Sequence, residues 1–318
     1  MKLSVILPCY NGGATIAVQL DALASQTYSG EWELIVVNNG STDNSMESVQ
    51  AYHDRIPNLR IVDAYEPPGP RRPVYHSYNV GTKAATGDAF LFCEADDEVC
   101  HEWLDSMAKS LQDYQFIVGA MRYDRLNPKW LVITEEQWPQ EHELVDMDNP
   151  VGLGFAYGCN LAIMRSVYKS VNGLDETLPF AADKDFCWRV QQTGVELHFN
   201  SNAIVQYRLR HLPGAAFRQA KNWGKDHPLL YARYQIPLEY PVVLHRLIQL
   251  LLYMPNGIKL FLMKILNIGR SKGGWVRWVW GLGFRIGEIQ GFLEHKQLKY
   301  AYKGSVKRLQ PAADSKGF

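Results

Sequence analysis

Through the first 120 residues, short apolar runs alternate with longer mixed segments. The runs are Leu3 to Leu7, Trp32 to Val37, Leu59 to Val62, Ala89 to Phe92 and Phe116 to Val118. Each is continuous rather than alternating, as in strands buried on both faces, and each gap is long enough for a crossover helix. The pattern predicts an α/β fold: a Rossmann-like, mostly parallel sheet flanked by helices, with ligands at the carboxyl ends of the strands. Polar clusters follow three of the runs directly: PCYNGG, NNGSTDN and EADDE. From Arg122 to Asp148 the regularity fades, with Trp130 and Trp138 in a charged stretch, and a long excursion over the site is expected. GCNLAIMRSVYKSV restores it, a turn follows at Asn172 and Gly173, and DKDFCWRVQQTG predicts a helix ended by Gly194. Val195 to Phe199 and Ala203 to Tyr207 predict two short strands.

After His211 the character changes. Ala215 to Trp223 predicts a helix. Pro241 to Met254, Ile258 to Ile268 and Trp275 to Ile286 are apolar segments punctuated by single basic residues, too short to span a membrane. With Trp275, Trp278, Trp280 and several Lys and Arg, they suit helices lying in a membrane interface. A helical cap over the core, or a dimer contact, is the alternative. The predicted division is a domain over residues 1–210, in two halves, 1–120 and 121–210, then a basic amphipathic helical extension over 211–318.

Charge sharpens this division. The 318 residues hold 33 Lys and Arg against 33 Asp and Glu, a balance that excludes a general nucleic-acid binder. From Glu239 onward, however, 13 basic residues face 4 acidic ones, a net +9, which leaves 20 against 29, a net −9, before it. Opposite signs suggest two jobs. Five cysteines without CxxC spacing predict buried, reduced thiols. The apolar run in MKLSVILPCYNGG is too short for a secretory leader, so a cytoplasmic chain is expected.

Chemistry enters at the strand ends. In Glu94-Ala95-Asp96-Asp97, two carboxylates spaced one apart can face a single crevice. Their hard oxygens suit Mg²⁺ or Mn²⁺, and such an ion would hold a diphosphate. Alone, the same turn reads as a solvated acidic loop. In VVNNGSTDNS, Asn39 and Gly40 allow a tight turn and Ser41 or Thr42 can cap the next helix. Pro8, Tyr10 and Asn11 form either a plain loop or a surface that stacks on a base. Arg208, Arg210, His211, Arg218, Lys221 and Lys225 meet either an anionic ligand, diphosphate or lipid, or solvent along a helix face. Trp188 reads as core and His198 as a strand residue.

In order, SVILPCYN, ELIVVNNGSTDNS, NVGTKAATGDAFLFCEADDEV, GCNLAIMRSVYKSVNGLDE and AADKDFCWRV resemble five blocks of glycosyltransferase family 2, the nucleotide-diphospho-sugar transferases with the GT-A fold. The resemblance covers Lys2 to Arg210. It implies a nucleotide sugar, UDP-linked, held by Pro8, Tyr10, Asn11, Asn38, Gly40, Asp63 and Asn79. It makes Glu94-Ala95-Asp96 the DxD block, with Asp96 and then Glu94 as ligands of Mg²⁺ or Mn²⁺. Asp183 becomes the catalytic base, and Asp185, Gly158 and Asn160 orient the helix or the acceptor. The implied reaction is a direct, inverting transfer of a hexose to a hydroxyl of a glycan, lipid-linked or other glycoconjugate acceptor. Its expected place is the cytoplasmic face of a membrane.

The chain also departs from the family pattern. Asn38 and Glu94 each replace Asp, Ala182 replaces Glu, and Tyr207 stands where many members have a metal-binding His. Tyr78-Asn79 replaces Arg-Asn, and Arg71 and Arg72 are alternative phosphate contacts. These changes leave open a second function, a nucleotide-sugar-binding or scaffold protein without catalysis. A nucleotidyltransferase is disfavoured, because no Gly-rich basic loop follows the first strand.

Overall fold

A computed structural model describes residues 1–56, 58–132, 139–145, 151–236, 242–266, 268 and 271–295. The first half runs β1 (Leu3–Cys9), α1 (Ile16–Ala24), β2 (Trp32–Asn38), α2 (Ser45–Gln50), β3 (Leu59–Asp63), α3 (Val74–Ala84), β4 (Ala89–Phe92), β5 (Glu98–Val99), α4 (Trp103–Ser110) and β6 (Phe116–Arg122). It continues with α5 (Lys129–Val132), β7 (Leu161–Met164), α6 (Arg165–Ser170), α7 (Ala182–Gln191) and β8 (Leu197–Gln206). Three helices close the described chain: α8 (Pro213–Arg233), α9 (Val242–Ile265) and α10 (Ser271–Glu294). The strands form one sheet in the order β3-β2-β1-β4-β7-β6-β8-β5. β3, β2, β1 and β4 are parallel, as are β6 and β8, while β7 and β5 run against their neighbours.

The continuous apolar runs have a direct cause. Leu3, Val5 and Leu7 of β1 pack with Leu34 and Trp103 on one face, and Ile6 packs with Phe90, Phe92 and Phe186 on the other. With both faces covered, no position in β1 can be polar without a partner. Ser4 meets that condition by donating to Glu33 Oε1 at 2.7 Å. Burial opposes the Glu33 charge, but hydrogen bonds from Ser4, Thr86 and Arg60 outweigh it and bring the carboxyl down to about 2. The chain order reverses beside β1, with β2 and β3 on one side and β4 on the other. That switch point opens a crevice at the ends of β1 and β4, where open α/β sheets bind ligands.

Three expectations change. The two short strands predicted after Gly194 are one strand, β8, with a register shift opposite Gly119 and Met121. Asn200 makes the bend: its amide donates to Ser106 and Ser110, and its Oδ1 accepts from the N–H groups of Asn202 and Ala203. The apolar segments on either side of Pro255 are one helix, α9, and Pro255 is exposed, so the carbonyl it leaves without an N–H partner lies on the solvent side. The helix expected from Ala215 to Trp223 extends to Arg233. Of the excursion after Arg122, α5 forms a short helix, while 133–138, with Trp138, and 146–150 lie outside the described residues. All five cysteines are free, and Cys9, Cys93, Cys159 and Cys187 are buried.

The C-terminal helices stack on the domain in the order α8, α10, α9. Gly283, Gly287 and Gly291 of α10 lie against the backbone carbonyls of Phe217, Lys221 and Lys225 of α8, where any Cβ would collide. Spaced by four, they let the two helices approach at backbone distance. α8 in turn grips α7: Arg233 pairs with Asp185 at 2.8 Å and Asp175 at 2.6 Å.

Candidate active site

The polar clusters after β1, β2 and β4 meet at the switch point. Asn11, with φ +49°, turns the chain after β1; its N–H donates to Ser41 Oγ and its Oδ1 accepts from the Thr42 N–H at 2.8 Å. The two loops are thereby stitched together. Tyr10 is exposed, and the Arg71 guanidinium lies 3.6 Å from its ring centroid. Asn38 ends β2, donating to Asp63 Oδ1 at 2.8 Å and accepting from the Ser41 N–H at 2.9 Å. Gly40, with φ +81°, leaves room for the Tyr65 ring, which a side chain there would strike. Asp63 is exposed at the end of β3, beside the loop that follows β2.

After Phe92 the chain leaves the sheet and turns at Ala95 and Asp96. Oxygens of Glu94, Asp96 and Asp97 come within 4.8 Å of one another. Burial first, then the Asp96 charge, raises both Glu94 and Asp97 above the ordinary carboxylate range. Asp97 Oδ2 is buried and has no hydrogen-bond partner among the described residues. Converging hard oxygens and an orphaned buried carboxylate oxygen fit a divalent cation. Asp97 is thus a third candidate ligand beside the expected Asp96 and Glu94.

The basic segment after β8 closes over this turn, because β5 pairs Glu98 with Gln206. Arg210 reaches Asp96 Oδ2 at 2.7 Å, the Arg208 N–H donates to Asp97 Oδ1 at 2.9 Å, and Arg208 Nε donates to the Asp96 carbonyl at 2.8 Å. Of the two readings open for this stretch, Arg208 and Arg210 face the site. Tyr207 packs edge-on against Tyr123, and burial, then Asp97 and Glu94, hold its phenol protonated.

Asp183 stands in the first turn of α7, buried, with Oδ1 accepting from the Lys184 N–H at 2.9 Å and Oδ2 from the Gly158 N–H at 3.3 Å. Burial raises its pKa, and those two N–H groups, with the Lys184 charge, restrain the rise. The result is a carboxylate more basic than one in water, near enough to Glu94 to help raise it. The structure gives Asp185 a different setting: wholly buried, it accepts from Arg189 at 2.6 Å, Arg233 at 2.8 Å and Tyr234 at 2.9 Å. Asn160 is also enclosed, tied to Trp103, Ala120 and Ala203. Asn79 lies apart from the acidic turn, bonded to Leu174, Glu176 and Tyr168. Pro8 is the penultimate residue of buried β1, one step from Cys9.

Sequence reasoning missed Asp226 on α8, whose Oδ2 accepts the Phe180 N–H at 2.6 Å. Burial pushes that carboxyl up to about 6. Its position in a basic amphipathic segment carried no signal.

An α/β sheet whose strand order switches beside β1, with an acidic turn at that point, has the architecture of the GT-A fold. The family model described as Glycosyl transferase family 2 matches residues 4–171, more than half of the chain, and the chain belongs to that family. The uncharacterized glycosyltransferase YibD of Escherichia coli (strain K12) is 36% identical over 110 residues, 34% of this chain and 30% of its own length. The poly(ribitol-phosphate) beta-N-acetylglucosaminyltransferase TarS of Staphylococcus aureus (strain Mu50) is 34% identical over 129 residues, 40% of this chain and 22% of TarS. The matches thus span less than a third of these relatives. Among solved structures, the mannosyltransferase PcManGT of Pyrobaculum calidifontis, in complex with GDP-Man and Mn²⁺, has a TM-score of 0.55 at 16% identity, covering 96% of this chain and 76% of that one. The S. aureus TarS crystal structure has a TM-score of 0.52 at 22% identity, covering 70% and 39%. At these identities the likeness is one of fold. No helix among the described residues is long and apolar enough to cross a membrane.

Proposed function

We propose that the chain transfers a hexose, with inversion, from a UDP-linked donor to a hydroxyl of a glycan, lipid-linked or other glycoconjugate acceptor at the cytoplasmic face of a membrane. The observation that carries this reading is the placement of Asp183 beside the Glu94–Asp97 turn at the switch point. Asp183 accepts the proton of the acceptor hydroxyl as that oxygen attacks the anomeric carbon. The bond from that carbon to the diphosphate oxygen breaks, and the electron pair leaves with the diphosphate. One displacement on the face opposite the leaving group inverts the centre.

Glu94, Asp96 and Asp97 would hold Mg²⁺ or Mn²⁺, whose charge neutralises a departing diphosphate. Arg210, already on Asp96, adds a second positive charge to that side of the crevice. Asp63 and Tyr10 are the exposed groups for the base, an acceptor and a ring face, with Asn38 orienting Asp63 and Asn11 and Gly40 shaping the loop. A UDP complex and a UDP-GlcNAc complex of TarS support a uridine donor by analogy.

The test is incubation with Mn²⁺ and a panel of nucleotide sugars, followed by NMR of the product's anomeric proton. Transfer or hydrolysis of one donor, with the configuration inverted in any transfer product, is expected. Absence of both with every donor would leave the nucleotide-sugar-binding protein as the better reading.

A further inference from the structure

α9 presents a row of hydrocarbon side chains to solvent. Leu244, Ile248, Leu251, Leu252, Ile258 and Leu262 follow one another at helical spacing on that face, with Leu251 70% and Leu252 76% exposed. The opposite stripe packs on α10 through Tyr253, which stacks on Trp278 at 5.5 Å, and through Gly257, which admits the Trp278 ring. The tryptophans that made this region look interfacial therefore point inward. Trp278 is buried, Trp275 stacks on it, and Trp280 packs against Trp223 and Phe284. What faces outward is mainly aliphatic, along a helix of 24 residues or about 36 Å.

A surface of this extent on a soluble protein marks an interaction site. We infer that the outer face of α9 docks in the plane of an anionic lipid bilayer. The inference rests on the reading of the chain as a transferase working at a membrane face, and it names the surface that makes the contact. Charge selects the partner. From Val242 to Leu266 there is no Asp or Glu, Lys259 and Lys264 are exposed while Arg246 pairs with Glu288 of α10, and the chain from Glu239 onward carries a net +9. Lys259 is exposed on the same face, in line with Leu252 and Leu262, and its long side chain can carry the ammonium up to headgroup phosphates when the face is immersed. The exposed side chains of this face are mainly aliphatic, with Phe261 the large aromatic among them. The glycine-packed α10–α8 contact and the Arg233–Asp185 pair then join the docked helix to α7, which carries Asp183. Docking thus fixes the catalytic half relative to the membrane.

The test is sedimentation of the full chain with vesicles of phosphatidylcholine containing about 30% phosphatidylglycerol. Wild type should pellet with them, and the double substitution Leu251→Asp and Ile258→Asp should lower the bound fraction at least about tenfold. Both positions are exposed, so the variant's melting temperature and nucleotide binding should match wild type. Leu244→Asp with Leu262→Asp, on the same face, guards against a local folding defect and should behave alike. A wild type that stays in solution, or variants that pellet equally, would overturn the inference. So would light scattering that shows a wild-type dimer, split by the same substitutions, with no vesicle binding; the face would then belong to a second copy. Vesicle binding that persists in a protein unable to bind any nucleotide would support the surface and contradict the transferase reading instead.

Discussion

Two carboxylate-rich regions lie close together and do opposite things. Around Asp185 each charge has its counterpart, with Arg189, Arg233 and Tyr234 all within 2.9 Å of a wholly buried carboxylate. Around Glu94, Asp96 and Asp97, three carboxylates face one another, and one buried oxygen has no partner among the described residues. The first region is electrostatically closed and fastens α7 to α8. The second is left open to an external cation. Pairing, rather than the number of acidic groups, separates scaffold from site.

The largest effect should come from the neighbouring carboxylate. Asp183→Asn removes the base while keeping shape, and transfer at saturating donor should fall about 10³-fold, with nucleotide binding and melting temperature retained. A variant with near-normal turnover would break the contrast, since Asp183 would then belong to the scaffold. Asp185→Asn should do the reverse. Leaving Arg189 without its counter-charge, and Arg233 with Asp175 alone, should cost about 3 kcal/mol in urea unfolding. A loss below about 1 kcal/mol would remove this pair from the account.

Glu33 supplies a second closed region with a readable pH signature. Its folded value, about 2, lies below the ordinary 4.5, so its stabilisation is present above that range and disappears as pH falls from 4.5 towards 2. Glu33→Gln should therefore cost about 2 kcal/mol at pH 7 and far less near pH 2, measured by urea midpoints across pH. The smallest effect has the opposite sign. Asp97 is raised above its ordinary 3.8, so without metal its charge destabilises the fold progressively as pH rises. Asp97→Asn should stabilise the metal-free protein on the order of 1 kcal/mol at pH 8, with the gain vanishing towards pH 4, while weakening Mn²⁺ binding in calorimetry. Unchanged stability and unchanged Mn²⁺ affinity would remove Asp97 from the ligand set.

The sheet was legible because β1, β2 and β4 are apolar on both faces, so burial leaves continuous runs in the sequence. Their polar ends marked the crevice for the same reason. Asp97 escaped because alternation along a strand sends neighbours to opposite faces, whereas here the chain turns at Ala95 and Asp96 and brings adjacent carboxylates together. Asn38 and Asn79 show a different limit. Both sit at motif positions, yet their amides are engaged by Asp63 and by Leu174 and Glu176, partners 25, 95 and 97 residues away that local pattern does not expose. The glycines of α10 were visible at a spacing of four, but their partner, α8, is set by tertiary packing.

The most direct test of the open site is a thermal-shift comparison of UDP, GDP, CDP and dTDP, each with and without Mn²⁺, on wild type and Asp96→Asn. One nucleotide, expected to be UDP, should stabilise wild type by about 2.7 kcal/mol at ~100 times its dissociation constant. That gain should require Mn²⁺ and disappear in Asp96→Asn. No shift with any nucleotide, or a shift indifferent to both metal and Asp96, would contradict the assignment of the Glu94–Asp97 turn as the diphosphate site.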